Sequence, residues 1–512
     1  MIYIKRIVNA DITRQIDLTK EVASSFFKYE EGDADKNVSF LNEETRETFN
    51  GTIKKTGHTS TIIGEIYSEI HRSCSLDDLW IVRSTRGDFT YTFSVVKKGT
   101  QKYPQYEKAL NLFGSKSAVL GSSTHLLATL DNGSESVEHK SIENSDISPN
   151  YLNYLAALRT KPFMLLAGIS GTGKSRIVRE MAKACWKEGD ADYGKNKPSN
   201  FEMVQVKPNW HDSSEVFGYV SRIGDKPHFV AGDFLKFVAK AWEHLDKPYF
   251  LCLDEMNLAP VEQYFAEYLS VIESRKLADD GKTIYTDPIL KTSADSWWWD
   301  LCCELTESED LRIKFRDNGI ALPQNLFVIG TVNMDETTYS FSRKVLDRAM
   351  TIEMNEVNLD GGLDKNAEKE FSYIEADAII GTAVEGCDVY AQKKAVCDAV
   401  LAYLQAVNDK LEGTPFKIAY RTRNEFLVYA VNRLLLSNDE NKDALLKVAM
   451  DEMTSMKILS RIEGERSKCV KPLEGIRDVL KGELTEDQQA DSVSLKKIDC
   501  MLKKGDYISY WD

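Results

Sequence analysis

The chain of 512 residues lacks most of the features that would take it out of the ordinary soluble globular class. No apolar run approaches the roughly 18 residues of a membrane-spanning helix. The opening Met1-Ile-Tyr-Ile-Lys-Arg6 has no apolar stretch of the signal-peptide kind, so a cytoplasmic protein without membrane attachment is expected. The nine cysteines stand apart at 74, 185, 252, 302, 303, 387, 397, 469 and 500. They form no Cys-x-x-Cys pair and have no histidine cluster beside them, which argues against a zinc site and against a disulfide framework. Scattered, buried thiols suit a reducing compartment. An excess of basic charge is also missing: 65 Lys and Arg face 80 Asp and Glu, a net charge of −15. A protein gripping nucleic acid over its whole surface would be basic, so any such contact must be local. The charge is uneven, however. Residues 1–110 hold 16 basic and 16 acidic side chains. That segment can present a basic face, or it can be a neutral solvated domain.

What is present is enough for two to four domains, with 42% hydrophobic and 28% charged residues. Residues 1–130 read as a small, mostly β domain. Val38-Ser-Phe-Leu, Thr61-Ile-Ile-Gly, Leu79-Trp-Ile-Val-Arg and Phe89-Thr-Tyr-Thr-Phe-Ser-Val-Val are rich in β-branched and aromatic residues. The last alternates aromatic with Thr or Ser, as in a strand with one buried face. Residues 131–149 have a polar linker composition. From 150 to 355, helical and strand signals alternate, which predicts an α/β domain with a parallel sheet. Its strand candidates start at Phe163, Phe201, Tyr249 and Leu326, each a short apolar run suited to burial on both faces. Beyond 356, helical spacing over 391–412, 423–436 and 442–461 predicts a mostly helical domain to residue 512. There is no internal repeat.

Gly168-Ile-Ser-Gly171-Thr172-Gly173-Lys174-Ser175 fits G-x-x-x-x-G-K-[ST], between a strand and a helix candidate (176–186). Glycines let the backbone turn its N–H groups toward phosphate oxygens, and the helix N-terminus adds partial positive charge. Lys174 would reach the β- and γ-phosphates and the Ser175 hydroxyl would ligate Mg²⁺. The strand Tyr249-Phe-Leu-Cys-Leu ends in Asp254-Glu255, placed to hold the metal and to polarise the attacking water respectively. Leu326-Phe-Val-Ile-Gly-Thr-Val-Asn333 ends in an amide that can hold that water.

These elements in this order resemble AAA+ proteins, and the flanking wording resembles the McrB-like branch, the motor subunits of type IV (McrBC- and LlaJI-like) restriction systems. The words are Val204-Gln-Val-Lys-Pro-Asn-Trp210-His-Asp212, Asp254-Glu-Met-Asn-Leu-Ala259, Leu322 to Asp335, Ala419-Tyr-Arg421-Thr-Arg-Asn-Glu425, Lys457-Ile-Leu-Ser-Arg-Ile-Glu-Gly464 and Tyr507-Ile-Ser-Tyr-Trp511. The resemblance covers about 150–512. It implies nucleotide contacts for Gly168, Gly171, Thr172, Gly173, Lys174 and Ser175. Asp254 and Glu255 would be Walker B, Asn333 sensor 1, and Arg348 an arginine finger acting on a neighbouring subunit, with Arg343 a second candidate. Arg421 matches sensor 2 on a helical lid that closes over the nucleotide. A homo-oligomer, expected as a hexameric ring, follows from a finger that works in trans. The resemblance implies GTP as substrate. One departure keeps ATP open: McrB reads Asn-Thr-Ala-Asp-Arg-Ser at sensor 1, and here it is Asn333-Met-Asp-Glu-Thr-Thr338.

In this family the N-terminal module varies and recognises DNA. The β-rich segment, with Ile16-Asp-Leu-Thr-Lys20 and Ser25-Phe-Phe-Lys-Tyr29, resembles the pseudobarrel of EcoRII-type effector domains carried by LlaJI-type motors. That resemblance implies DNA contacts from loops holding Arg14, Lys54, Lys55, His58, Arg83 or Arg86; a protein-interaction domain is the alternative. No nuclease constellation stands in the chain, and the resemblance implies a separate McrC-like nuclease subunit. A MoxR-like ATPase that remodels proteins would use the same core. Trp210 and His211 could lie at a ring pore, or Trp210 could simply pack. The run Trp297-Trp-Trp299 fits either a buried anchor or a partner contact.

Overall fold

The computed structural model describes residues 2–120, apart from 9–10, 12–15, 30–32, 44, 57–58, 85–89, 101–102, 105, 108–109 and 111–116, and residues 151–511, apart from 279, 335–338 and 356–372. The chain divides into two compact units, Met1–His139 and Lys140–Asp512. The stretch read as a linker, 131–149, lies outside the described residues.

The first unit is a mixed eight-stranded sheet. Its strand order is Ile16–Leu18, Thr59–Gly64, Thr48–Thr56, Lys36–Asn42, Thr90–Val96, Leu79–Ser84, Ile2–Arg6, Ser117–Leu120. Neighbours are antiparallel except Lys36–Asn42 beside Thr90–Val96, which run parallel. A short helix, Lys20–Ser25, is capped by Thr19, whose hydroxyl accepts from the Val22 amide at 3.3 Å. This helix touches both Thr59–Gly64 and Ser117–Leu120, which stand near opposite ends of the strand order, so the sheet is curled around it. The concave core is aromatic. Tyr3, Phe26, Phe27, Phe40, Trp80 and Tyr91 pack edge-on or stacked within it. The alternation read at residues 89–96 holds over the described Thr90–Val96, with Tyr91 and Phe93 facing inward.

The second unit is built on a five-stranded, wholly parallel sheet in the order Phe201–Gln205, Tyr249–Asp254, Leu326–Asn333, Phe163–Gly168, Met350–Glu353. Both faces are buried along four of these strands, as their near-continuous apolar runs require; Phe201–Gln205 was expected to be buried likewise but lies at the sheet edge, with Met203 39% exposed. Successive residues of Phe163–Gly168 enter different cores. Phe163, Leu165 and Ala167 join one with the helix Asp233–Glu243, while Met164 and Leu166 join another with the helices Leu152–Thr160 and Lys174–Ala184. That second core runs on without a break into the C-terminal helices Lys394–Lys410, Tyr420–Leu435, Lys442–Met453, Arg466–Glu483 and Val493–Leu502. The helix expected to run to 461 leaves regular α geometry after Met453, passing through a π turn and a 3₁₀ turn. Among the described residues no helix is long and apolar enough to cross a membrane. All nine cysteines are free, six of them buried.

Candidate nucleotide site

The strand order puts three chain ends side by side. Leu326–Asn333 is central, between the strand that feeds the glycine loop and the strand that ends in Asp254. Asn333 lies opposite Gly168, and Gly330 opposite Leu253. Their C-terminal ends therefore form one rim, the usual place for ligands in a parallel sheet whose strand order reverses.

The glycine loop joins that rim to the helix Lys174–Ala184. Gly171 and Gly173 have φ of 84° and 86°, and nothing stands within 4 Å of where a Cβ would be. They are needed for backbone conformation rather than for room. Gly168 is needed for room, because a Cβ there would stand 2.4 Å from the Met354 carbonyl oxygen. The Ile169 amide donates to Asn355 Oδ1 at 3.0 Å, and the Thr172 hydroxyl donates to the Ile169 carbonyl at 3.1 Å. Lys174 Nζ is buried and donates to the carbonyls of Gly168 (3.0 Å) and Ile169 (2.7 Å), curling the loop round its own ammonium. The loop borders an open cleft of about 340 Å³ shared with Ser175, Asp254, Glu255, Thr331 and Asn333. That size and polar lining suit a phosphate chain.

Within the cleft the side chains form one relay. Ser175 Oγ donates to Asp254 Oδ1 at 2.6 Å, and Thr331 Oγ1 donates to the same oxygen at 2.8 Å. Thr331 Oγ1 in turn accepts from the Glu255 amide at 2.9 Å. Asn333 Nδ2 donates to Glu255 Oε1 at 3.2 Å. Glu255 itself has φ 52° and ψ 51°, a left-handed conformation that is costly for a residue with a Cβ. Thr331 was not among the sequence candidates. The signal available was its spacing, two residues before Asn333 and so on the same face of one strand. Arg176, also unmarked in the sequence, lines the cleft and is exposed. Ser175 and Asp254 present adjacent hard oxygens, a fit for Mg²⁺. Among the described residues no cage of three or more His, Cys, Asp or Glu exists, so further ligands would have to come from nucleotide and water.

The arginines lie elsewhere. Met350 pairs with Met164 in parallel register, so Arg348 precedes its strand at the N-terminal edge of the sheet. The cleft is at the C-terminal edge, a strand length of about 20 Å away. Arg348 Nη1 donates to the Lys344 carbonyl at 2.7 Å, and its Nε stands 3.7 Å from Glu273 Oε1. Arg421 was expected as the sensor 2 residue on a helical lid that closes over the nucleotide. Its guanidinium pairs closely with Glu273 and lies 4.0 Å from Asp347, beside Arg348. The cause is the packing of the helix Tyr420–Leu435 on Leu152–Thr160, whose C-terminal end sits at that same N-terminal edge. Asn432 bonds Arg159 (3.0 Å) and Thr160 (3.0 Å), and Glu425 bonds Lys161 (2.5 Å). Arg343 is exposed, with its guanidinium 5.5 Å from the Phe416 ring centroid.

A buried trio ties the same helix to the arginine loop. Glu425 stands between Lys161 and Lys457, and Lys457 Nζ also donates to the carbonyls of Leu346 (3.3 Å), Asp347 (3.0 Å) and Ala349 (2.8 Å). Burial pushes the Lys457 ammonium down to about 8, with Glu425 opposing. For Glu425, burial would raise the carboxyl, but Lys161 and Lys457 outweigh it and hold it below the usual range.

The other candidates separate cleanly. Trp210 is buried against Tyr264 (5.4 Å between centroids), and His211 is exposed. Trp297 and Trp298 are buried, and Trp297 stacks on Phe229 at 5.4 Å. Trp297 Nε1 donates to Asp295 (3.0 Å) and Trp298 Nε1 to the Arg316 carbonyl (3.1 Å), so both are anchors, while Trp299 is 41% exposed. In the first unit, Arg14, His58 and Arg86 lie outside the described residues. Lys54, Lys55 and Arg83 sit on strands, not in loops. As neighbours on one strand, Lys54 and Lys55 point to opposite faces. Arg83 is engaged internally, by Glu43 and Tyr106 at 2.9 Å each.

A glycine loop, paired acids and a sensor amide on one rim of a five-stranded parallel sheet, continued by a helical lid, define a P-loop NTPase of the AAA+ class. Residues 163–349 match the AAA domain (dynein-related subfamily), and residues 376–510 match a domain of unknown function (DUF8727). The Type IV methyl-directed restriction enzyme EcoKMcrB subunit of Escherichia coli (strain K12) is 23% identical over 222 residues, which cover 42% of this chain and 39% of that protein. The chain thus spans about two fifths of the relative it matches. The solved N-terminal domain of Helicobacter pylori LlaJI.R1 aligns with a TM-score of 0.21 and 16% identity, over 24% of this chain and 98% of that one. The chain carries a McrB-like AAA+ core, as its motifs had indicated.

Proposed function

We propose that this chain is the oligomeric, nucleotide-hydrolysing motor of a restriction complex directed against foreign DNA, and that it drives a separate McrC-like nuclease. The observation that carries the reading is the division of one catalytic set between two edges of one sheet. Ser175, Asp254, Glu255 and Asn333 meet at the cleft, whereas Arg348 and Arg421 stand about 20 Å away. Arginines at that edge would serve a neighbour's cleft, and a hexameric ring is the arrangement we favour.

In the proposed mechanism the loop amides and Lys174 bind the β- and γ-phosphates, with Lys174 exchanging its loop carbonyls for phosphate oxygens. Ser175 and Asp254 would hold Mg²⁺, which when bound neutralises charge on the transferring phosphates. Glu255 accepts a proton from the attacking water, and Asn333 fixes the direction of its carboxylate. Arg348, with Arg421 beside it, stabilises charge developing on the adjacent subunit's γ-phosphate. GTP is the preferred substrate on the likeness to McrB. The N-terminal unit would supply DNA recognition, and the complex would work in the cytoplasm.

The test is steady-state hydrolysis of GTP and ATP by purified protein, with and without DNA and the candidate nuclease subunit, and with Lys174→Ala and Glu255→Ala as controls. GTP turnover stimulated by the nuclease supports the proposal. ATP-only turnover, indifferent to nuclease and DNA, contradicts it and points to a protein-remodelling ATPase.

A further inference from the structure

Glu273 ends the helical segment that follows the paired acids, in the 3₁₀ turn Ile272–Ser274, and belongs to none of the nucleotide motifs. Its carboxylate nevertheless stands among three cations. Oε2 pairs with the Arg421 guanidinium, while Oε1 lies 3.7 Å from Arg348 Nε and 3.5 Å from Lys161 Nζ. Asp347, the other acid near Arg421 at 4.0 Å, is occupied by Arg461 at 2.9 Å. Among the described residues, Glu273 is thus the carboxylate that Arg348 and Arg421 share. The two arginines come from different parts of the chain, one from the α/β core and one from the lid helix. Without a shared counter-charge they would repel each other and Lys161. Lys161 is paired more closely with Glu425 at 2.5 Å, and two arginines on the one Glu273 carboxylate still leave net positive charge at a partly exposed edge, with side-chain exposures of 21% for Arg348, 39% for Arg421 and 22% for Glu273. An edge of that kind is completed by an incoming anion.

We infer that Glu273 is a positioning residue that yokes Arg348 and Arg421 into a single clamp for the triphosphate bound by the neighbouring subunit. The inference rests on the proposed role of those arginines in trans. It adds that the lid and the core present their arginines together, so that movement of the helix Tyr420–Leu435 is transmitted to Arg348 through one carboxylate. Glu273 touches no nucleotide in this scheme.

The experiment is a double-mutant cycle on the full-length assembled protein. Glu273→Gln keeps the size and removes the charge, and Glu273→Asp keeps the charge. The yoke predicts that Glu273→Gln lowers kcat by about tenfold, a factor in the range of one charge-assisted contact. Affinity for a fluorescent nucleotide analogue in the protein's own cleft should stay unchanged. Glu273→Asp should recover part of the rate. In an Arg421→Ala background, which keeps Arg348, Glu273→Gln should cost clearly less than in the parent, because one of the two groups it joins is gone. A full additional loss in that background, or full activity of Glu273→Gln alone, overturns the inference. If Glu273→Gln lowers the melting temperature and nucleotide affinity together, its role is structural and the inference also falls. The underlying reading fails separately, if Arg348→Ala and Arg421→Ala leave hydrolysis untouched.

Discussion

Thr331→Val is the substitution that most sharply probes the cleft, because it changes one hydroxyl to a methyl and little else. Thr331 is 2% exposed on the central strand, so shape and packing are retained. Two interactions disappear: the donation to Asp254 Oδ1 at 2.8 Å and the acceptance from the Glu255 amide at 2.9 Å. The first is a bond to a charged group, worth about 1.5–3 kcal/mol, and the second leaves a backbone N–H without its partner, at about 1–3 kcal/mol. Glu255 meanwhile sits at φ 52°, a conformation that costs about 1–2 kcal/mol and needs outside support. If about 2–3 kcal/mol of this restraint is lost from the transition state, kcat falls roughly 30- to 150-fold. Nucleotide affinity should change far less, since the loop and Lys174 are untouched. Thr331→Ser, which keeps the hydroxyl, should stay within a few-fold of the parent. The assay is steady-state hydrolysis at saturating nucleotide, with affinity measured separately. Equal activity of the Val variant and the parent, or equal damage by Val and Ser, would refute the reasoning.

Two further outcomes follow from packing and charge. Gly168→Ala puts a Cβ 2.4 Å from the Met354 carbonyl and 2.9 Å from Asn355 Oδ1, and should destabilise by about 1–3 kcal/mol while displacing the loop that Asn355 supports; denaturant midpoints and nucleotide affinity both report it, and an unchanged variant would show the approach is not tight. Lys457 has its pKa lowered from 10.5 to about 8 by burial. Between those values the unfolded chain holds a proton that the folded chain has released, so this lysine's contribution to stability rises with pH across the window. Glu425, with its carboxyl held low, is ionised in both states there and adds no slope. The melting temperature of the parent relative to Lys457→Met should therefore climb from pH 8 toward 10, and a flat or falling difference would contradict the buried ammonium.

What the sequence disclosed, and what it hid, divides by the range of the interactions. The glycine loop was legible because its chemistry lies in eight consecutive residues, and Asp254-Glu255 because an apolar strand points at them. The four strands read in the α/β segment were each long enough to show a continuous apolar run. The fifth, Met350–Glu353, has four residues and follows directly on the arginine loop, so it showed no pattern of its own. Thr331 was hidden because threonine in a strand needs no functional reason. The position of Arg421 was beyond reach, since it depends on a helix packing against one more than 250 residues earlier, through Asn432 and Arg159. The tryptophan run was settled by its neighbours: Phe229 and the Arg316 carbonyl explain two of the three rings. In the first unit composition gave the β character, but not that Arg83 would be held by Glu43.

The central claim is that a working site is assembled from two chains, and mixing tests it most directly. Lys174→Ala should empty a subunit's own cleft while leaving its arginines intact, and Arg348→Ala should do the reverse. Each variant alone should be nearly inactive. Mixed in equal amounts under assembly conditions, they should recover a substantial part of the parent's hydrolysis, because some interfaces then pair an intact cleft with an intact arginine edge. A mixture no more active than its components, from subunits shown to co-assemble, would contradict the account.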